Sequence, residues 1–260
     1  MAEKVARCAS FPVHTYEVDA FGMLEVPALS GYLQEVAGLH AGELGVGLDV
    51  LRAKGLTWVL ARQRLELLLP VSLGDTVEIE TWPSGVERLA ATRDFVVRRG
   101  DGAEAARATT QWYVLDLGTR RAVRPGEVLD PRFPRESRPS VAPLAPGKLP
   151  LPESWDLEKR FQVRYADIDV NLHVTNASYV TWAIEAAPVE LWRASRLAAV
   201  EVHYLSEALH GKPILSRLAR TAERSYAHAI VREEDGKELA RLQTAWVARD
   251  HALPLHPDRA

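Results

Sequence analysis

Cysteine is nearly absent from this 260-residue chain, which contains only Cys8. A single cysteine excludes an internal disulfide framework and any metal site built from several thiolates. The chain also lacks a hydrophobic run long enough to span a bilayer, and its first residues lack the apolar core of a signal peptide. We therefore expect a mature cytoplasmic protein with no membrane segment, in a reducing compartment.

Strong charge of either sign is also missing. The 32 Lys and Arg residues and 35 Asp and Glu residues leave a formal net charge of −3, without a long run of like charges. Proteins that bind nucleic acids usually concentrate positive charge on one face or segment, so this class is disfavoured. Hydrophobic residues make up 47% of the chain and charged residues 26%, which is typical of a globular protein with a buried core.

Proline is concentrated in one internal stretch. Of the 16 prolines in the chain, eight lie between Pro125 and Pro152. Because proline fixes φ and has no N–H to donate, this stretch is predicted to be an extended connector without a helix or central strand. The predicted organisation is an N-terminal domain over residues 1–124, a linker over 125–155 and a C-terminal domain over 156–260.

The two halves of the chain resemble each other. An offset of 150 places VHTYEVDAFGML over VRYADIDVNLHV, and an offset of 134 places DGAEAARATTQW over DGKELARLQTAW. In each half the order of signals is a short strand, a loop, a long helix and several strands. The sequence therefore predicts two copies of an α+β unit, a long helix wrapped by an antiparallel sheet, that pair as an internal pseudo-dimer.

Periodicity locates most of the elements. Apolar residues at helical spacing predict helices over roughly 27–44 and 176–193, the second capped by Thr175 or Asn176. Turn residues predict hairpins at 100–102 and 234–237. Strands are predicted for segments with alternating or β-rich composition: TVEIETW, RDFVVRR, ATTQWYVLD, VEVHYLS, ILSRLART, AHAIVREE and ARLQTAWVAR.

Polar side chains cluster just before the second helix, in YADIDVNLHVTNASYV. If this segment is extended, its alternating positions place Asp169, Asn171 and His173 on one face. The offset of 150 aligns the last two with Phe21 and Met23, which are apolar. We therefore expect one polar site, formed by residues of the second half.

This segment resembles the Asp-x-Asn-x-His-x-x-Asn-x-x-Tyr motif of acyl-acyl carrier protein (acyl-ACP) thioesterases, which release the fatty acyl chain at the end of fatty-acid synthesis. Further stretches resemble the same family: YEVDAFGMLEVPALSGYLQEVAGLHA, LTWVLARQRLELLLPVSLGDTVEIETW and VEVHYLSEALHGKPILS. The resemblance implies two tandem hotdog units and hydrolysis of a fatty acyl thioester held by acyl carrier protein. It also implies one active site per pair of units, in the second half, and an acyl-chain pocket contributed by the first half. It implies no metal and no organic cofactor.

Carried over to this chain, the family's catalytic set falls on Asp169, Asn171, His173 and Glu207. Plant members have a cysteine directly after the glutamate, where this chain has Ala208, so a water-based mechanism is expected. In our hypothesis Glu207, assisted by His173, activates water, and Asn171 holds the water or the thioester carbonyl. Asp169 fixes the local geometry, and backbone N–H groups at the start of the second helix bind the oxyanion. Which of Glu207 and His173 acts as the base is left open.

The sequence also has features of other classes of protein. A calcium loop is disfavoured because Leu172 replaces the required glycine and Ser178 the final glutamate. A thioesterase for acyl-coenzyme A differs only in the carrier, and a non-catalytic acyl-binding protein would keep the pocket without turnover. Arg120, Arg121 and Arg124 form either a solvated strand end or a contact for an acidic carrier protein. The acyl chain length is not encoded in a motif, and the chain is expected to be a monomer or a homodimer.

Overall fold

The computed structural model describes residues 5–129, 140–170 and 172–249. By its internal contacts the chain divides into two compact units, Met1–Gly147 and Lys148–Ala260. In each unit a helix, of 18 residues in the first and 10 in the second, packs against an antiparallel sheet. The inner part of the predicted linker, residues 130–139, lies outside the described residues, and the three-part division of the chain stays a prediction.

The first unit orders its strands β1-β3-β4-β5-β2, with β6 paired to β5. Its strands are β1 Arg7–Pro12, β2 Leu56–Leu67, β3 Thr76–Glu87, β4 Ala90–Arg99, β5 Glu104–Asp116 and β6 Ala122–Val123. Its helices are α1 Val26–Glu43, α2 Leu48–Ala53 and α3 Pro125–Val128, and a 3-10 helix covers Thr15–Glu17. The helix predicted over 27–44 is therefore confirmed as α1.

The second unit orders its strands β8-β11-β10-β9-β7. The strands are β7 Leu157–Gln162, β8 Ser195–Tyr204, β9 Pro213–Ala222, β10 Ser225–Arg232 and β11 Glu238–Ala248. The helices are α4 Asn176–Glu185 and α5 Val189–Ala194, and a 3-10 helix covers Tyr165–Asp167. All seven strand segments predicted from composition fall within or overlap these strands and those of the first unit.

Equivalent side chains of the two units form equivalent hydrogen bonds. The indole N–H of Trp112 donates to Thr110 Oγ1 at 2.9 Å, and that of Trp246 donates to Thr244 Oγ1 at 3.0 Å. Both pairs lie on the last long strand of their sheet, β5 and β11. The offset of 134 found in the sequence is therefore confirmed by the structure.

One long helix in the second unit was predicted, and that prediction is wrong. The sequence predicted a helix over 176–193, but α4 ends at Glu185 and α5 begins at Val189. Pro188 lies at the N-cap of α5 with ψ of 143°. Proline has no N–H for the preceding helix, and it disfavours helical geometry at the residue before it. Thr175 occupies the N-cap position of α4, although its side chain forms no capping hydrogen bond.

Two further differences concern proline and β-propensity. The proline-rich stretch was predicted to contain no helix, yet α3 begins at Pro125. Proline is tolerated at this first position because the missing N–H would have no partner within the helix. Strand β2 was not among the predicted strands, since LTWVLARQRLEL is rich in good helix formers. Its pairing along the whole of β5 overrides that propensity.

A fully buried histidine lies in the core of the second unit. His228 on β10 is 1% exposed, and its Nε2 lies 2.9 Å from Thr244 Oγ1. Its Nδ1 is buried without a hydrogen-bond partner in the part of the chain that the structure describes. Burial lowers the pKa of His228 to about 3, because an imidazolium here would lose its hydration. Phe95 occupies the matching position of the first unit and is also fully buried.

We expect His228→Phe to make the protein more stable against acid. The folded-state pKa of His228 lies below the unfolded value of 6.5, so the unfolded chain binds a proton that the folded chain does not. Stability is therefore complete above pH 6.5 and falls with pH, by about 2 kcal/mol at pH 5 from this group alone. Urea unfolding at pH 7.5 and pH 5 should show this loss in the wild type and its absence in the variant. His210→Phe, at a surface position, is the control for removing an imidazole. If the free energy of unfolding falls equally between pH 7.5 and pH 5 in wild type and in His228→Phe, the prediction is contradicted.

Candidate active site

A tight turn at residues 169–173, here called the motif turn, carries the candidate side chains. The N–H of Leu172 donates to the carbonyl of Asp169 at 3.0 Å, and the N–H of Asp169 donates to the carbonyl of His173 at 2.8 Å. These bonds form a turn, so the condition under which alternating side chains of an extended segment would share one face is not met. Asn171, predicted to hold the water or the thioester carbonyl, lies outside the described residues.

The motif turn includes a leucine in the left-handed conformation. Leu172 has φ of +61°, where a side chain with a Cβ is disfavoured. The matching position of the first unit is Gly22, with φ of +72°. Leu172 is 82% exposed, so no packing of its side chain compensates for this conformation. Both units have this left-handed backbone geometry, but only the second has a leucine at the position.

Asp169 stabilises the backbone of the turn, as its counterpart does in the first unit. Asp19 Oδ1 accepts the N–H groups of Phe21 and Met23 at 2.8 and 3.0 Å. Asp169 Oδ1 accepts the N–H of His173 at 3.4 Å. Aspartates commonly hold turns in this way. Because the first unit uses the same contact where its side chains are apolar, these bonds support an architectural role for Asp169.

Asp167 anchors the segment before the motif turn, and sequence analysis did not include it in the site. It is 2% exposed, and its carboxylate accepts hydrogen bonds from the Arg164 guanidinium at 2.9 and 3.2 Å and from the Ser178 hydroxyl at 3.4 Å. Burial alone would raise the pKa of this carboxyl, but the hydrogen bonds and charge of Arg164 outweigh it and lower the pKa. The Asp167 carbonyl also accepts the N–H of Thr175, next to α4.

The repeat contained a signal for Asp167. The offset of 150 pairs it with Glu17, whose carboxylate accepts the backbone N–H of His14 at 2.8 Å. In the second unit the Arg164 N–H donates to Asp167 at 2.7 Å. An acid at this position in both halves therefore caps the short 3-10 helix of each unit.

Glu207 lies close to His173 in the second unit. It lies in the segment of residues 205–212 between β8 and β9, here called the Glu207 loop. His173 Nε2 is 3.7 Å from Glu207 Oε1, and the two side chains are 48% and 42% exposed. This distance is longer than a hydrogen bond, and the two side chains form an ion pair when His173 is protonated. The structure thus brings together two predicted site residues that are distant in sequence, and both are accessible to a substrate.

The backbone of the Glu207 loop is held by two other side chains. The hydroxyl of Tyr179 accepts the N–H of Ala208 at 2.9 Å and donates to the carbonyl of Ser206 at 3.3 Å. Arg232 Nη2 donates to the carbonyl of Glu207 at 3.4 Å. Tyr179 is 4% exposed, and burial raises its pKa to about 12, so its hydroxyl keeps its proton at neutral pH.

Among the described residues, no group of three or more His, Cys, Asp or Glu side chains is arranged to hold a metal ion. No helix in these same ranges has both the length and the hydropathy needed to cross a membrane. In the predicted basic cluster, Arg124 Nη1 lies 4.0 Å from Glu127, and its contact with a carrier stays a prediction.

Comparison with known proteins identifies the family. Residues 5–131 match the family model described as the acyl-ACP thioesterase N-terminal domain, and residues 152–248 match the acyl-ACP thioesterase C-terminal domain. The chain belongs to the acyl-ACP thioesterase family. The family resemblance inferred from the sequence motifs is therefore confirmed.

Relatives in this family are similar over most of the chain. Oleoyl-acyl carrier protein thioesterase 1 of Arabidopsis thaliana is 28% identical over 91% of this chain and 74% of its own length. Palmitoyl-acyl carrier protein thioesterase of Gossypium hirsutum is also 28% identical, over 91% of this chain and 62% of its own length. Both names describe chloroplastic proteins.

Solved acyl-ACP thioesterases share the fold. The enzyme of Bacteroides thetaiotaomicron matches with a TM-score of 0.80 at 24% identity, over 95% of this chain and all (100%) of that one. The 12:0-ACP thioesterase from Umbellularia californica matches with a TM-score of 0.79 at 22% identity, over 95% and 98% of the two chains. The prediction of two tandem hotdog units is therefore confirmed.

We expect Leu172→Gly to stabilise the protein. A left-handed leucine costs about 1–2 kcal/mol, and the glycine loses about 0.5–1 kcal/mol through the greater freedom of the unfolded chain. The free energy of unfolding in urea should therefore rise by about 0.5–1 kcal/mol. Leu209→Gly, at an exposed residue of the Glu207 loop without positive φ, should lower it instead. A Leu172→Gly protein no more stable than the wild type would contradict the expected strain.

Proposed function

We propose that this thioesterase hydrolyses fatty acyl-ACP and releases the free fatty acid, with His173 and Glu207 as its reacting pair. The observation that carries the proposal is the 3.7 Å approach of His173 Nε2 to Glu207 Oε1 in the second unit. The names of relatives that act on oleoyl- and palmitoyl-acyl carrier protein support this substrate class. Acyl carrier protein is then the partner that delivers the thioester.

Thioester hydrolysis requires a base that takes a proton from water while the water oxygen attacks the carbonyl carbon. The carbon–sulfur bond then breaks, and the carrier thiol leaves with a proton. A carboxylate beside an imidazole suits this task, since one group accepts the proton and the other stabilises the charge that results. We assign the role of base to the His173–Glu207 pair, without dividing it between the two residues.

The remaining predicted residues have supporting roles in this proposal. Asn171 holds the water or the thioester carbonyl. Asp169 keeps the turn in shape through its bond to the His173 N–H. The first turn of α4, which begins at Asn176, supplies backbone N–H groups to the oxyanion that forms on the carbonyl.

A covalent mechanism through the position after Glu207 does not fit this chain. That position is Ala208, which is 1% exposed and has no nucleophilic atom. Its N–H is engaged by Tyr179. Water is therefore the nucleophile in the proposed reaction.

The acyl chain is assigned to the first unit. The turn that matches the motif turn carries Phe21 and Met23 at the positions of Asn171 and His173. These apolar side chains provide no general base, so the reaction is placed in the second unit. The first unit then binds the apolar part of the substrate.

Thioester hydrolysis should be measured on a panel of acyl-ACPs and the matching acyl-coenzyme A esters. We expect faster release from the carrier protein, and a fall in kcat of about 100- to 10,000-fold for Glu207→Gln and for His173→Ala. Glu233→Gln, at a carboxylate of the same unit that pairs with Arg160 on the surface, should retain full activity.

The other outcomes of this assay discriminate among the alternatives. Faster hydrolysis of the coenzyme A esters would indicate the other carrier. Bound acyl chains without turnover on either carrier would contradict hydrolysis and indicate an acyl-binding protein. Activity that survives both substitutions would show that the site lies elsewhere.

A further inference from the structure

The Glu207 loop is attached to helix α4 through one hydroxyl group. From this contact we infer that Tyr179 is a positioning residue, which holds Glu207 at the distance from His173 that hydrolysis requires. The inference rests on the proposed function, because it assigns Tyr179 a task within that reaction. Tyr179 is thereby added to the site, although it touches neither the water nor the thioester. It acts through the backbone on both sides of Glu207.

The hydroxyl of Tyr179 bonds to the residue before Glu207 and to the residue after it. It donates to the Ser206 carbonyl at 3.3 Å and accepts from the Ala208 N–H at 2.9 Å. The Glu207 side chain is 42% exposed, so packing around the carboxylate restricts it only in part. A loop carboxylate in this situation depends on its backbone for a defined position, and catalytic groups tolerate errors of only about 0.5 Å.

Tyr179 itself is held rigidly. It lies in the first turn and a half of α4, is 4% exposed, and its ring packs edge-on against Trp182 at 5.4 Å and Tyr204 at 5.6 Å. Trp182 is fixed in turn, because its carbonyl accepts the buried Ser216 hydroxyl of β9 at 2.9 Å. A side chain locked by packing on a helix is a suitable support for a loop residue.

The same helix also positions His173. The N–H of Thr175, the residue before α4, donates to the Asp167 carbonyl at 2.8 Å, and the Ser178 hydroxyl of α4 contacts the Asp167 carboxylate at 3.4 Å. His173 lies between these anchored residues. Through Tyr179, α4 reaches the other member of the pair, so one rigid element sets the distance between His173 and Glu207.

The first unit is an internal control for this contact. The offset of 150 places Leu29 at the position of Tyr179, and Leu29 has no hydroxyl. The arginine contact is retained in both units: Arg99 Nη1 donates to the Pro70 carbonyl at 3.4 Å, as Arg232 Nη2 does to the Glu207 carbonyl at 3.4 Å. The arginine bond therefore belongs to the shared architecture, whereas the tyrosine bonds occur where the loop carries the glutamate.

A role in packing alone would require the ring of Tyr179 but not its hydroxyl. Tyr179→Phe separates the two possibilities, because it keeps the ring and removes both hydrogen bonds. Tyr32→Phe is the matched control: the Tyr32 hydroxyl contacts Glu17 at 2.5 Å and the Pro12 carbonyl at 3.3 Å within the first unit. Both variants lose one hydroxyl with two partners, but only Tyr179→Phe removes a contact with the Glu207 loop.

Hydrogen exchange measured by NMR tests the contact without reference to activity. In Tyr179→Phe the Ala208 amide loses its acceptor, and its exchange rate should rise about tenfold. Tyr32→Phe should leave this amide unchanged. An Ala208 amide that exchanges equally slowly in Tyr179→Phe and in wild type would overturn the inference, whether or not the protein hydrolyses thioesters.

Kinetics on acyl-ACP test the consequence. We expect Tyr179→Phe to lower kcat about 10- to 100-fold with KM within about threefold of wild type, because binding of the acyl chain is untouched. In a Glu207→Gln background, assayed with an activated aryl thioester, the same substitution should change the residual rate less than twofold. Equal losses in both backgrounds, or a higher KM with unchanged kcat, would overturn the positioning role. If the wild type shows no turnover but the Ala208 amide exchanges faster in Tyr179→Phe, the proposed function is refuted and the Tyr179 contact is retained.

Discussion

The candidate site depends on the burial of one short helix against its sheet. Helix α4 places Tyr179, Val180, Trp182 and Ala183 in the core of the second unit, where full burial of a large apolar side chain contributes about 1.5–3 kcal/mol. The motif turn directly precedes this helix, and the Glu207 loop is bonded to its Tyr179. Because the helix cannot shift without exposing these side chains, two polar and half-exposed residues keep a defined separation.

The chain uses one backbone design twice for different tasks. In both units an acid caps a 3-10 helix, an aspartate holds the following turn, and an arginine bonds a loop carbonyl. The side chains at the tip of the turn differ, with Met23 in the first unit and His173 in the second. The repeat can therefore remain architecturally intact while only one copy keeps the groups for chemistry.

Much of this organisation was predictable from short patterns. The two offsets between the halves predicted equivalent positions. The hydrogen bonds of Trp112 and Trp246 confirm one offset, and those of Asp19 and Asp169 support the other. The position of α1 followed from its periodicity, whereas Pro188 divided the second helix within a periodic stretch. Strand β2 has the composition of a helix and became a strand through its pairing with β5. Local propensity is weaker than such long-range pairing.

The sequence by itself determined the family, the duplicated α+β unit and the residue types of the site, because these depend on order along the chain. It did not predict the left-handed turn at Leu172, the burial of Asp167 or the two hydrogen bonds of Tyr179 to the Glu207 loop. The bonds of Tyr179 join residues 27 and 29 positions apart in sequence, and no local pattern specifies a distance between them. Only tertiary packing decided that His173 and Glu207 lie 3.7 Å apart, since that distance results from how α4, β8 and β9 fit around one core.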